Sequence, residues 1–205
     1  MKAKICGLST SEHVKTCVEL GANYCGFVLN YPKSHRFVQL EKAKKLTSID
    51  KKDTKYVGVL VNPKNEEFEK FSKLNIDYFQ IYGNYNEKLI SDIKLKFNKK
   101  IIVAIQVKEE KDILNYKKFE NVADIILWDS SGYELSLKWD FNWLKKVQSN
   151  ITKMIAGNIS IDKIEKIFNL ADIVDVSGAL ETNKVKDMSK IRNFLNKLKK
   201  IKNEN

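Results

Sequence analysis

Short apolar runs alternate with amphipathic stretches from one end of the chain to the other. The runs are KAKIC, YCGFVL, YVGVLV, DYFQIY, KIIVAIQV, ADIILW, KMIAG and ADIVDVSG. Each is followed by a segment whose apolar positions recur at helical spacing. The first of these, STSEHVKTCVELG, sets Val14, Cys17 and Val18 on one face and closes on Gly21, a helix stop. The next are QLEKAKKLTSI, then NPKNEEFEKFSKLN with Pro63 near its start, then NEKLISDIKLKF. EEKDILNYKKF, FNWLKKVQ, SIDKIEKIF and MSKIRNFLNKLKKI complete the set. The strand-like runs are continuous rather than alternating, as in a parallel sheet whose outer face is covered by helices. Eight strand–helix pairs at intervals of about 20–30 residues predict an α/β protein, a single (β/α)8 TIM barrel. A doubly wound open sheet is the competing arrangement. It usually carries a glycine-rich phosphate turn after its first strand, and CGLSTS is not one.

Length and composition narrow this further. No linker or repeat divides the 205 residues, so residues 1–205 are expected to form one domain, with a basic tail at about 200–205 that frays. No apolar run approaches the ~20 residues that span a bilayer, and no secretory core follows Lys2 and Lys4. Cys6, Cys17 and Cys25 make an odd count with no paired framework, which fits reduced thiols in a cytoplasmic protein. The net charge of +11 raises nucleic acid as a partner. However, Arg36 and Arg192 are the only arginines, and the lysines are interspersed with acids as on a solvated surface. The aromatics show no recurring basic–aromatic motif, so neither nucleic acid nor membrane is expected as a partner.

In a (β/α)8 barrel the chemistry lies at the C-terminal ends of the strands. Here those ends carry Cys6-Gly7, the long loop NYPKSHR with Arg36, Asn62, Gln80 and Tyr82, Gln106, Asp129-Ser130, Gly157-Asn158, and Ser177-Gly178. A thiol and a carboxyl facing each other across a pocket can serve as base and acid. Small residues after strands 7 and 8 suit a phosphate held by backbone N–H groups. Arg36 offers a planar fork to a carboxylate or phosphate. Each has a plainer reading as well. Cys6 fits a small core residue, Asp129 a helix N-cap, Arg36 a surface charge, and Asn158 a left-handed turn. His13 and His35 lack the spacing of a metal pair, so no metal is expected.

KICGL, GANYCGFVLNYPKSHRFV, VGVLVN, DYFQIYG, LWDSS, IAGNIS and DIVDVSGALE together resemble the phosphoribosylanthranilate isomerases of tryptophan biosynthesis. The resemblance runs in order from Lys4 to about Leu198. It implies the (β/α)8 barrel and an Amadori rearrangement of N-(5-phosphoribosyl)anthranilate that requires no cofactor. It also implies Cys6 as general base, Asp129 as general acid, and Arg36 as the ligand of the anthranilate carboxylate. Phosphate would sit at Gly157, Asn158, Ser177, Gly178 and Ala179. The partner would be a small phosphosugar, and the protein a monomer or homodimer. The chain departs from the family pattern at Tyr82, where histidine is common, in the loop SGYELSLKWDF, and at AGN and SGAL. The alternatives are a related barrel acting on another phosphosugar, such as the isomerase of histidine biosynthesis, and a non-catalytic basic barrel binding RNA or protein.

Overall fold

The computed structural model describes residues 1–130 and 138–204. Eight parallel strands close into a barrel in simple sequential order, with the last paired to the first. They are β1 (Lys2–Cys6), β2 (Tyr24–Val28), β3 (Lys55–Val61) and β4 (Tyr78–Tyr82). β5 (Lys100–Val107), β6 (Ile125–Ser130), β7 (Thr152–Ile155) and β8 (Ile173–Val176) complete it. This is the (β/α)8 barrel that the alternation of the sequence predicts.

The apolar runs conceal a period of two. Alternate strand residues enter two separate cores. Tyr24, Val57, Val59, Tyr78, Ile102, Ile125, Leu127, Met154 and Ile173 fill the barrel interior. Their neighbours, such as Ile5, Phe27, Leu60, Phe79, Ile126 and Val174, pack outward against the helices. The interior is not wholly apolar. Lys4 and Asp175 are both buried and stand opposite each other in the β1–β8 register.

Four α-helices cover the first half: α1 (Ser11–Glu19), α2 (Leu40–Thr47), α3 (Asn65–Ser72) and α4 (Glu87–Phe97). Two of them begin on side-chain caps. The His13 N–H donates to Thr10 Oγ1 at 3.2 Å, and the Leu89 N–H to Asn86 Oδ1 at 2.9 Å. Cys17 and Cys25 are core residues, fully buried.

The second half differs from the helical expectation. Glu110–Lys118 and Phe141–Lys146 are 3-10 helices, and a 3-10 turn at Ile161–Lys163 leads into the single-turn α5 (Ile164–Ile167). In the two longer 3-10 segments the apolar contacts fall every third residue: Ile113, Tyr116 and Phe119; Phe141, Leu144 and Val147. A 3-10 turn eclipses positions i and i+3, so that spacing points all three side chains the same way. After β8 a further 3-10 turn (Gly178–Leu180) leads into a small hairpin, β9 (Glu181–Thr182) and β10 (Val185–Lys186). The last helix, α6 (Met188–Glu204), includes most of the basic tail. Buried Ile201 and the Lys200–Glu204 pair at 3.8 Å carry the helix on. No helix among the described residues is long and apolar enough to cross a membrane.

Candidate active site

At the C-terminal mouth of the barrel lies a cavity of about 350 Å³, within the range of small-ligand sites. Cys6, Arg36, Asp129, Gly157, Asn158, Ser177, Gly178 and Ala179 all line it, so every residue given a role from the sequence converges on one space, whereas the strand-end residues Asn62, Gln106 and Ser130 do not line it. Gln80, Tyr82 and Asp175 line it too.

Asp129 sits near the end of β6. Its Oδ2 accepts the Tyr82 hydroxyl at 2.7 Å, and its Oδ1 accepts the Ser130 N–H at 2.7 Å. Gln80 Nε2 in turn donates to the Tyr82 oxygen at 3.1 Å. Burial pushes the Asp129 carboxyl up to about 6, against the opposing donors Tyr82 and Ser130. Tyr82 is itself raised well above the ordinary phenol by burial and by Asp129, and so stays protonated as a donor. Tyr82 is therefore a fixed hydrogen-bond donor to the carboxyl.

Cys6 ends β1 and faces inward with 9% of its surface exposed. Burial raises its thiol, while the charge of Lys4 pulls the other way. Gly7 follows with φ +77°, a left-handed conformation that favours glycine. A Cβ there would also lie 2.4 Å from Arg36 Cδ. The Cys6-Gly7 step thus ends the strand and clears a path for Arg36 to cross the rim.

Arg36 comes from the β2–α2 loop. Its Nε and Nη2 donate to Glu181 Oε1 and Oε2 at 2.6 and 2.9 Å, a bidentate pair. Lys186 donates to the same carboxylate, and His35 Nε2 lies 3.1 Å from it. Burial alone would raise Glu181, but Arg36 and Lys186 hold it down to about 2. The hairpin residues Asn183 and Lys184, both with positive φ, form the tight turn that brings Glu181 and Lys186 together.

The two loops expected to hold phosphate close the far side. Gly157 has φ +101° and leaves no room for a side chain, since a Cβ would fall 2.9 Å from both Ser130 Cβ and Trp139 Nε1. Asn158 is left-handed, with φ +51°. Ser177 Oγ donates to the Cys6 carbonyl at 3.0 Å, which ties the loop after β8 to the end of β1. The Trp139 indole donates to the Ala156 carbonyl at 3.0 Å and packs edge-on to Phe141. The altered part of the loop after β6 falls on residues 131–137, outside the described residues.

Sequence reasoning missed Lys4, Asp175, Glu181 and Lys186. A signal existed for the first two, because each is a charge set inside an apolar run, in KAKIC and in DIVDV.

Comparison with known proteins places this site in context. The family described as N-(5'phosphoribosyl)anthranilate (PRA) isomerase matches residues 3–197. The N-(5'-phosphoribosyl)anthranilate isomerase of Streptococcus mutans is 38% identical over 202 residues, covering 97% of this chain and 99% of the relative. The crystal structure of the phosphoribosyl anthranilate isomerase from Thermotoga maritima superimposes with a TM-score of 0.85 at 26% identity, covering 98% of this chain and 99% of that one. A structure of such an isomerase in complex with reduced 1-(o-carboxyphenylamino)-1-deoxyribulose 5-phosphate matches with a TM-score of 0.79 at 26% identity, over 98% and 99% of the two chains.

Proposed function

The chain belongs to the N-(5'-phosphoribosyl)anthranilate isomerase family, and on that premise we propose that Cys6 and Asp129 are its general base and general acid. The reaction converts N-(5-phosphoribosyl)anthranilate to 1-(2-carboxyphenylamino)-1-deoxy-D-ribulose 5-phosphate in tryptophan biosynthesis. The observation that carries the assignment is a buried carboxyl, raised to about 6, sharing one cavity with a strand-end thiol.

Protonated Asp129 delivers its proton to the furanose ring oxygen. The C1′–O4′ bond breaks, and the nitrogen lone pair forms a cationic Schiff base at C1′. That cation acidifies the C2′ proton, which the Cys6 thiolate removes. The released electron pair becomes the C1′=C2′ bond and neutralises the nitrogen. The resulting enolamine then tautomerises to the ketone. Arg36 binds the anthranilate carboxylate. Gly157, Asn158, Ser177, Gly178 and Ala179 bind the phosphate through backbone N–H groups.

The test is steady-state loss of substrate fluorescence with Cys6→Ser and Asp129→Asn beside the wild type. Each substitution lowers kcat by on the order of 10²–10⁴ with an unchanged circular dichroism spectrum. A folded variant that keeps wild-type turnover overturns the role of that residue.

A further inference from the structure

We propose that Lys4 is a positioning residue for the reaction, an interior ammonium that favours the Cys6 thiolate against burial and is itself fixed by Asp175. The proposal rests on the reading of Cys6 as general base. Lys4 is completely buried inside the barrel. A buried ammonium is costly and persists only when paired. One partner is plain: Lys4 Nζ donates to Asp175 Oδ2 at 2.7 Å. The other is Cys6. Lys4 and Cys6 are two residues apart on β1 and point to the same face. Cys6 pairs in register with Gly26 of β2. A Cβ on Gly26 would lie 2.9 Å from Cys6 Sγ and 3.1 Å from Lys4 Nζ. Sulfur and ammonium therefore both border the notch that this glycine leaves open.

The charges around Cys6 have definite signs. Lys4 on its own strand and Lys186 on β10 favour the thiolate, and Asp175 on β8 opposes it. Tyr82 on β4 also faces it. Asp129 on β6 and Arg36 from the β2–α2 loop line the same cavity. Among the opponents of burial, Lys4 acts most strongly. Burial disfavours the Lys4 charge, but Asp175 and Cys6 more than compensate and push it to about 12, so it remains a cation across the working range.

These signs give a test that a merely structural role fails. Lys4→Met and Asp175→Asn break the same ion pair, so simple loss of packing moves both variants alike. Electrostatic control moves them in opposite directions. Iodoacetamide reaches Cys6 through the cavity, and peptide mapping separates it from the buried Cys17 and Cys25. In the full chain without substrate, the pH midpoint for Cys6 alkylation rises by about one to three units in Lys4→Met. It falls below the wild-type value in Asp175→Asn. Should Lys4→Met not fold, the double variant Lys4→Met/Asp175→Leu replaces the pair by apolar groups, and its midpoint stays above the wild-type value by less than in Lys4→Met, because Lys4 acts on the thiol more strongly than Asp175 does. An unchanged midpoint in the Lys4 variants, or a shift of both single variants in one direction, overturns the proposal. If the alkylation midpoints move as stated but the pH profile of kcat/KM does not follow them, the hold of Lys4 on the thiol stands and it is the assignment of Cys6 as base that falls.

Discussion

Asp129 ionises at about 6 while burial lifts Cys6 above an ordinary thiol, so in the proposed mechanism the working combination of neutral carboxyl and thiolate is the minority form of a singly protonated pair. Below about 6 both groups are protonated and the base is lost; above the thiol midpoint both are ionised and the acid is lost. The profile of kcat/KM therefore rises through the Asp129 ionisation, stays flat, and falls on the alkaline side of the ordinary thiol range. Tyr82 sets the position of the first limb. Its hydroxyl stabilises the Asp129 carboxylate, so Tyr82→Phe moves the acid limb upward by about one unit. An acid limb unmoved in that variant assigns it to another group. At this scale Cys6 and Asp129 were legible because each is a reactive group at the end of an apolar run, and Arg36 because it stands in the long polar loop that follows one. Lys4 and Asp175 were not, because their meaning depends on the register between β1 and β8, 171 residues apart.

The β9–β10 hairpin carries Glu181 to Arg36 and so joins the loop after β8 to the loop after β2. Glu181 is 8% exposed, and its folded pKa of about 2 lies below its ordinary value of 4.5. The stabilisation is thus complete above about 4.5 and is lost as pH falls toward 2. Glu181→Gln costs on the order of 3 kcal/mol at neutral pH. Thermal melts across pH check this, and the gap in Tm between wild type and variant narrows as the solution is acidified from neutrality. KM rises in the same variant, because Arg36 loses the carboxylate that orients it. The hairpin was invisible in the sequence, since its turn is Asn-Lys rather than the usual glycine pair. The helix types were equally hidden. Phe68, Phe71 and Leu74 around α3 share the spacing of three seen in the 3-10 segments, so periodicity alone does not choose between them.

The whole molecule carries a net charge of +11, and its substrate bears a phosphate and a carboxylate. Such a field speeds encounter and is screened by salt. Raising ionic strength therefore lowers kcat/KM several-fold while kcat holds, a comparison that steady-state kinetics at two salt concentrations makes. A kcat that falls in parallel argues against steering. Architecture was the most legible level, because eight repeats of one pattern admit few closed arrangements. The seam of that closure is also where Lys4 meets Asp175. A growing polypeptide exposes its first strand to the cell long before β8 has been synthesised. Until β8 arrives, Lys4 lacks the carboxylate that pairs with it, and the cavity beside Cys6 lacks one of its walls. The cavity that gathers these groups is thus completed by the last strand, so a chain stalled before β8 carries no finished site.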